Sequence, residues 1–112
     1  MMSRERHDSI ELLKGLGDLY RRSGQPQRAL VMLLIAAQMA PQDGTLLRYL
    51  AMAFTDSGNA SRALNALDRL TEQEGESPGL LLLRSHALWR GGRKDEARQC
   101  FKRYLSARRA AR

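Results

Sequence analysis

Few side chains in this 112-residue chain have the types and spacings that chemistry requires. His7 and His86 are its only histidines, and neither belongs to a set spaced like a zinc or calcium site. Cys100 is the single thiol; three residues after Ala97 on a helical pattern, it reads as a packed side chain rather than a nucleophile. Phosphate chemistry would need a Walker loop or a glycine-rich turn after a strand, and neither occurs. No enzymatic activity, cofactor or metal is therefore expected. What remains is the chemistry of recognition: one tryptophan, Trp89, and a stock of lysine and arginine able to hold a carboxylate.

Those cations are unevenly placed. The whole chain carries a net charge of +7, but residues 84–112 hold ten lysines and arginines against two acids, and residues 1–83 hold nine against ten. A basic end of this kind suits nucleic acid or an acidic protein, or is simply a solvated helix face. The length suits one domain. No apolar run approaches the roughly 20 residues that cross a bilayer, and Met1–Arg6 is charged with no signal-peptide core after it. A single cysteine forms no internal disulfide and fits a reducing compartment, so a cytoplasmic location is expected.

The elements that must position these residues are announced by a phrase written three times. Gly24-Gln25-Pro26-Gln27-Arg28-Ala29-Leu30 is followed by Gly58-Asn59-Ala60-Ser61-Arg62-Ala63-Leu64 and by Gly92-Arg93-Lys94-Asp95-Glu96-Ala97-Arg98. Its glycines and its alanines each recur every 34 residues. That period marks stacked helical hairpins, and it is the period of the tetratricopeptide repeat. Six antiparallel helices in three pairs are expected, about 10–43, 44–77 and 78–111. They follow a polar N-terminal tail at 1–8, form a domain over 9–107 and end in a basic tail at 108–112.

Each pair repeats one logic. Asp8 or Ser9 caps a first helix that Gly24 stops. Its residues Leu13, Leu16, Gly17 and Tyr20 share one face, matched in the second unit by Leu47, Leu50, Ala51 and Phe54. Gly17 makes sense mid-helix only where a crossing helix leaves no room for a side chain. Pro26 and the pair Ser77-Pro78 read as helix starts, Asn59 as an N-cap. Ala29, Leu33 and Ala36 face inward, as do Ala63, Leu67 and Leu70. The third unit is less regular: Leu81, Arg84, Ser85 and Leu88 fill the inward slots, so Arg84 must reach water or a partner. Ala97, Phe101 and Tyr104 are expected to face inward in the last helix. No seventh helix covers Phe101, Tyr104 and Leu105, which leaves that end of the stack open.

The first helices of stacked hairpins line a concave groove. The register assigns to it Glu11, Lys14, Asp18 and Arg21, then Arg48, Tyr49, Met52 and Thr55, then Leu82, Leu83, His86 and Trp89. The groove passes from charged to apolar, with Trp89 as the anchor for a partner helix or extended segment. The residues expected to touch a partner are Lys14, Asp18, Arg21, Arg48, Tyr49, Met52, Leu82, Leu83, His86 and Trp89. A rotation of the third unit would turn this stripe into core. Asp18 among the cations argues against a pure anion site.

Over residues 10–105 the chain resembles the tetratricopeptide repeat family, and within it the small three-repeat chaperones of type III secretion, closest to the YscY (SctY) type. The resemblance rests on Glu11-Leu12-Leu13, Gly17-Asp18-Leu19-Tyr20 and Gly24, then Gln27-Arg28-Ala29, Leu33-Leu34 and Ala40-Pro41. Asp95-Glu96-Ala97-Arg98, Phe101 and Tyr104-Leu105 complete it. Arg84 departs from the leucine of the pattern. The resemblance implies an all-α, short right-handed superhelix. It also implies a non-catalytic cytosolic chaperone that forms a heterodimer with a small secreted partner of the SctX type, and a contact with the export gate's cytosolic domain. Other readings keep the fold: an adaptor for a peptide of an unrelated complex, or a chaperone for a translocator or needle subunit. Nucleic-acid binding through the basic last hairpin is a third class, with Trp89 the one stacking aromatic there outside the expected core.

Overall fold

The computed structural model describes residues 2–111, all of them helix or tight connection. The helices are α1 (Met2–Arg22), α2 (Pro26–Met39), α3 (Gly44–Asp56), α4 (Ala60–Glu74), α5 (Pro78–Arg90) and α6 (Lys94–Ala110). Consecutive helices pack as antiparallel neighbours, and α3 also rests on α1 and α5 on α3. The stack is elongated, 47 × 28 × 20 Å.

The repeated phrase builds the same turn three times. Gln25, Asn59 and Arg93 donate their backbone N–H to the carbonyls of Tyr20, Phe54 and Leu88, at 2.9, 2.8 and 2.9 Å. Gly24, Gly58 and Gly92 bond at 3.1 Å to Arg21, Thr55 and Trp89. This doubly bonded helix ending needs a left-handed residue, and the three glycines have φ of 76°, 86° and 81°. Pro26 then opens α2, where its missing N–H costs nothing. Asn59 and Ser77 cap α4 and α5 through the N–H groups of Arg62 and Leu80. Asp43 caps α3 through Leu46, a role the repeat phrase does not reveal.

The core follows the register. Ala29, Leu33, Ala36, Leu47, Leu50, Ala63, Leu67 and Leu70 are buried, while Leu13, Leu16 and Tyr20 are half-buried on the end helix. Gly17 is buried against Leu33, close enough that any side chain there would collide with it. Arg84 finds its partners: Nη1 lies 2.9 Å from the Asp68 carboxylate, and Nη2 reaches the Thr71 hydroxyl.

Three expectations need correction. Helix α1 begins at Met2, not at Asp8 or Ser9, so the described residues 2–8 of the expected tail are helical. No proline or glycine interrupts them, Glu5 complements the helix N-terminus, and Arg6 donates to the Met39 carbonyl at the end of α2. Similarly α6 runs through Ala110, taking in 108–110 of the expected basic tail. Met1 and Arg112, the outer residues of those two tails, lie outside the described residues. Finally, Phe101 is exposed, and Cys100 takes the inward place beside Ala97, Tyr104 and Ala107. A helix with one neighbour buries a single stripe, and the stripe facing α5 is 97, 100, 104, 107.

Candidate protein-binding site

On α1 the expected groove residues neutralise one another. Lys14 Nζ lies 2.9 Å from Asp43 and 3.1 Å from Glu11. Asp18 holds Arg21 at 2.8 Å and Arg22 at 3.1 Å. On α3, Arg48 forks onto Glu74 with bonds of 3.2 and 2.6 Å. Burial alone would raise the Asp43 carboxyl, but the Leu46 N–H and the Lys14 ammonium outweigh it and hold its pKa below the ordinary value. Burial would lower Lys14, and Asp43 with Glu11 reverses that. Lys14 ties α1 to the α3 N-terminus, Arg48 ties α3 to the end of α4, and Arg21 and Arg22 share Asp18 within α1, so these cations form no open anion clamp.

Three groove assignments change. Thr55 is only 3% exposed, its hydroxyl donating to the Ala51 carbonyl. Tyr49 and Leu83 are half-buried and packed against the core between repeats. Both stand three residues after a buried leucine, Leu46 or Leu80, on the face that meets the preceding hairpin. Met52 stays half-buried on α3.

The third repeat brings the remaining residues together. Leu82, His86 and Trp89 of α5 line a cavity of about 300 Å³ with Ser85 and with Ala97, Arg98 and Phe101 of α6. Trp89 is 46% exposed and Phe101 42%. Lys94 Nζ stands 5.0 Å from the centre of the Trp89 ring and the Arg98 guanidinium carbon 5.8 Å, so two cations flank its π-face. Phe101 and Tyr104 continue the aromatic surface at 5.4 Å between ring centres. Sequence reasoning placed Trp89 here but missed Lys94, Arg98 and Phe101. The 34-residue offset from Ala60, Leu64 and Leu67 was the signal that could have found them.

Among the described residues no three of His, Cys, Asp and Glu gather as metal ligands would. Cys100 is buried, its thiol donating to the Leu81 carbonyl at 3.3 Å, and burial pushes its pKa up. The arrangement supplies apolar contact and positive charge rather than proton transfer.

Comparison with known families agrees with this geometry. Tetratricopeptide repeat models match residues 20–78 and 50–112, each more than half of the chain. The chain belongs to the tetratricopeptide repeat family. Such repeats are non-enzymatic protein-interaction modules, so this tetratricopeptide repeat protein has the character of a protein-binding adaptor. No match was found among curated proteins. Among the described residues no helix is long and apolar enough to cross a membrane.

Proposed function

We propose that this tetratricopeptide repeat protein is a cytosolic chaperone of type III secretion, of the SctY kind. It holds a small secreted partner of the SctX kind as a heterodimer until export. The observation that carries this reading is the bare apolar surface of the last repeat. Trp89, Leu82 and Phe101 stand exposed together on a strongly charged protein. Patches of this kind mark sites that a partner covers, and a chaperone's client gains by burying its own apolar helices there. Contact with the export gate's cytosolic domain is a further part of the same reading.

Co-expression with an SctX-like partner tests it. The pair is expected to co-purify and the partner's soluble yield to rise, with Trp89→Ala abolishing recovery of the complex. Unchanged co-purification with Trp89→Ala would remove the site. Absence of any secretion gene beside the coding sequence would instead favour an adaptor in another complex, and a translocator or needle subunit as preferred client would shift the role within secretion.

A further inference from the structure

We propose that the C-terminal end of the stack is a socket for one helix from a partner. The helix is amphipathic, its apolar stripe flanked by aspartate and glutamate, and it seats across α5 and α6 as α3 seats across α1 and α2. This rests on the reading of the chain as a protein binder, but on no particular client.

The repeat period supplies the reasoning. Positions 17, 29 and 33 lie where α1 and α2 pack together and 51, 63 and 67 where α3 and α4 do; α3 rests on the first pair of helices and α5 on the second. All six residues are buried, with Leu33 and Leu67 fully so. The same pattern continues at 85, 97 and 101, where Ser85 and Ala97 are buried within their own hairpin but Phe101 is bare. Position 55, a buried threonine on α3, becomes the exposed Trp89 one period later. The third hairpin thus repeats the pattern of the other two, and among the described residues no helix lies over it.

The covering helices show what such a helix must offer. On α3 the stripe is Leu46, Tyr49 and Ala53, and on α5 it is Leu80, Leu83 and Ala87, each at i, i+3 and i+7. Two large apolar residues followed by a small one therefore fit. Charge selects the flanks: residues 84–112 carry +8, and Lys94 and Arg98 stand at the rim beside Trp89.

A second copy is the less suitable occupant. Its α1 would present Leu12, Gly15 and Leu19 at the stripe positions, with no side chain in the middle. Residues 1–34 hold six lysines and arginines against four acids, which adds positive charge to positive charge. Head-to-tail stacking also has no closure.

The test uses the full chain and two tryptophan-free synthetic peptides of about 20 residues, long enough to hold a helix. Both carry the stripe Leu, Tyr, Ala at i, i+3 and i+7, repeated once; one has Glu and Asp flanks, the other Lys. Trp89 is the only tryptophan, so its emission reports the socket directly. The acidic peptide is expected to shift that emission to the blue saturably, with affinity falling as salt rises, and the basic peptide is expected to leave it unchanged. Phe101→Ala should weaken binding more than about tenfold, whereas Met52→Ala, in the concave groove, should not. Far-ultraviolet circular dichroism checks that both variants fold. No response to the acidic peptide, or equal loss with Met52→Ala, would overturn the socket. So would sedimentation showing a concentration-dependent oligomer dissolved by Phe101→Ala, because a second copy would then be the occupant. Co-purification of an SctX-like client by a chain that ignores the acidic peptide would leave the proposed function standing and remove the socket alone.

Discussion

Gly17 and Gly15 lie two residues apart on α1, and replacing each by alanine separates packing from helix propensity. Alanine in place of glycine inside a helix gains up to about 1 kcal/mol. At Gly15 nothing lies within 4 Å of the added methyl, so the gain is realised. At Gly17 the methyl would stand 2.6 Å from Leu33 Cγ and closer still to Cδ2. The branch carbon itself is too near, so turning the terminal methyls does not clear it. Leu33 is fully buried beneath α3 and cannot swing away. Overpacking of this kind costs about 1–3 kcal/mol. Gly17→Ala is therefore expected to lose about 1–2 kcal/mol net, and Gly15→Ala to gain somewhat less than 1. For a domain of this size each kcal/mol moves Tm by roughly 4–8 °C. Thermal and urea unfolding followed by circular dichroism at the helix band reads both. Leu33→Ala should cost less in the Gly17→Ala background than alone, because the two side chains compete for one space. If Gly17→Ala stabilises as much as Gly15→Ala, the close crossing of α1 and α2 is wrong.

Asp43→Ala removes a cap and the partner of Lys14, and should cost about 1 kcal/mol at neutral pH in urea unfolding. The Asp43 pKa is depressed on folding, so its contribution is complete above the unfolded-state value near 3.9 and is lost as pH falls through the lower folded value. The gap between wild type and Asp43→Ala should narrow over that acid range. Arg84→Leu restores an apolar residue in the leucine slot and frees Asp68, which is 60% exposed, to water. It should be neutral or stabilising by up to about 2 kcal/mol, and a larger loss would show that the ion pair orients α5. Cys100, buried and raised in pKa, should react with iodoacetamide at least about ten times faster after unfolding in urea than before it.

The architecture was legible because one phrase carries a turn, a helix start and a packing alanine, and its recurrence fixes the register of everything between. Gly17 could be read as a crossing point because it shares the inward face with Leu13, Leu16 and Tyr20, whereas Gly15, off that face, meets nothing. Interior positions followed, since each has a neighbour on both sides. The differences gather where a neighbour is missing. Phe101 occupies the slot of Leu33 and Leu67, but among the described residues no later helix shields it. Helix α1 extends past its expected cap because Arg6 can reach the end of α2, a contact invisible to local pattern. Tyr49 and Leu83 pack between repeats because one turn of helix carries them past the groove onto the preceding hairpin. The charged groove residues were located, but not the pairing of Lys14 with Asp43 or of Arg48 with Glu74, side chains 29 and 26 positions away.

Helix α6 has α5 as its sole backbone neighbour among the described helices, with Leu64 of α4 touching the small cluster of Leu81, Leu88, Ala97 and Cys100 that holds it. The larger cluster, reaching from Ala29 to Ala87, contains none of its residues. The last helix can therefore peel away while the first five keep their packing, and amide exchange should be fastest there apart from the chain ends. A molecule that spans α5 and α6 would pin the flap it sits on. Its affinity would then be reduced by the fraction of time the flap is open, and protease cutting within α6 would slow as it binds.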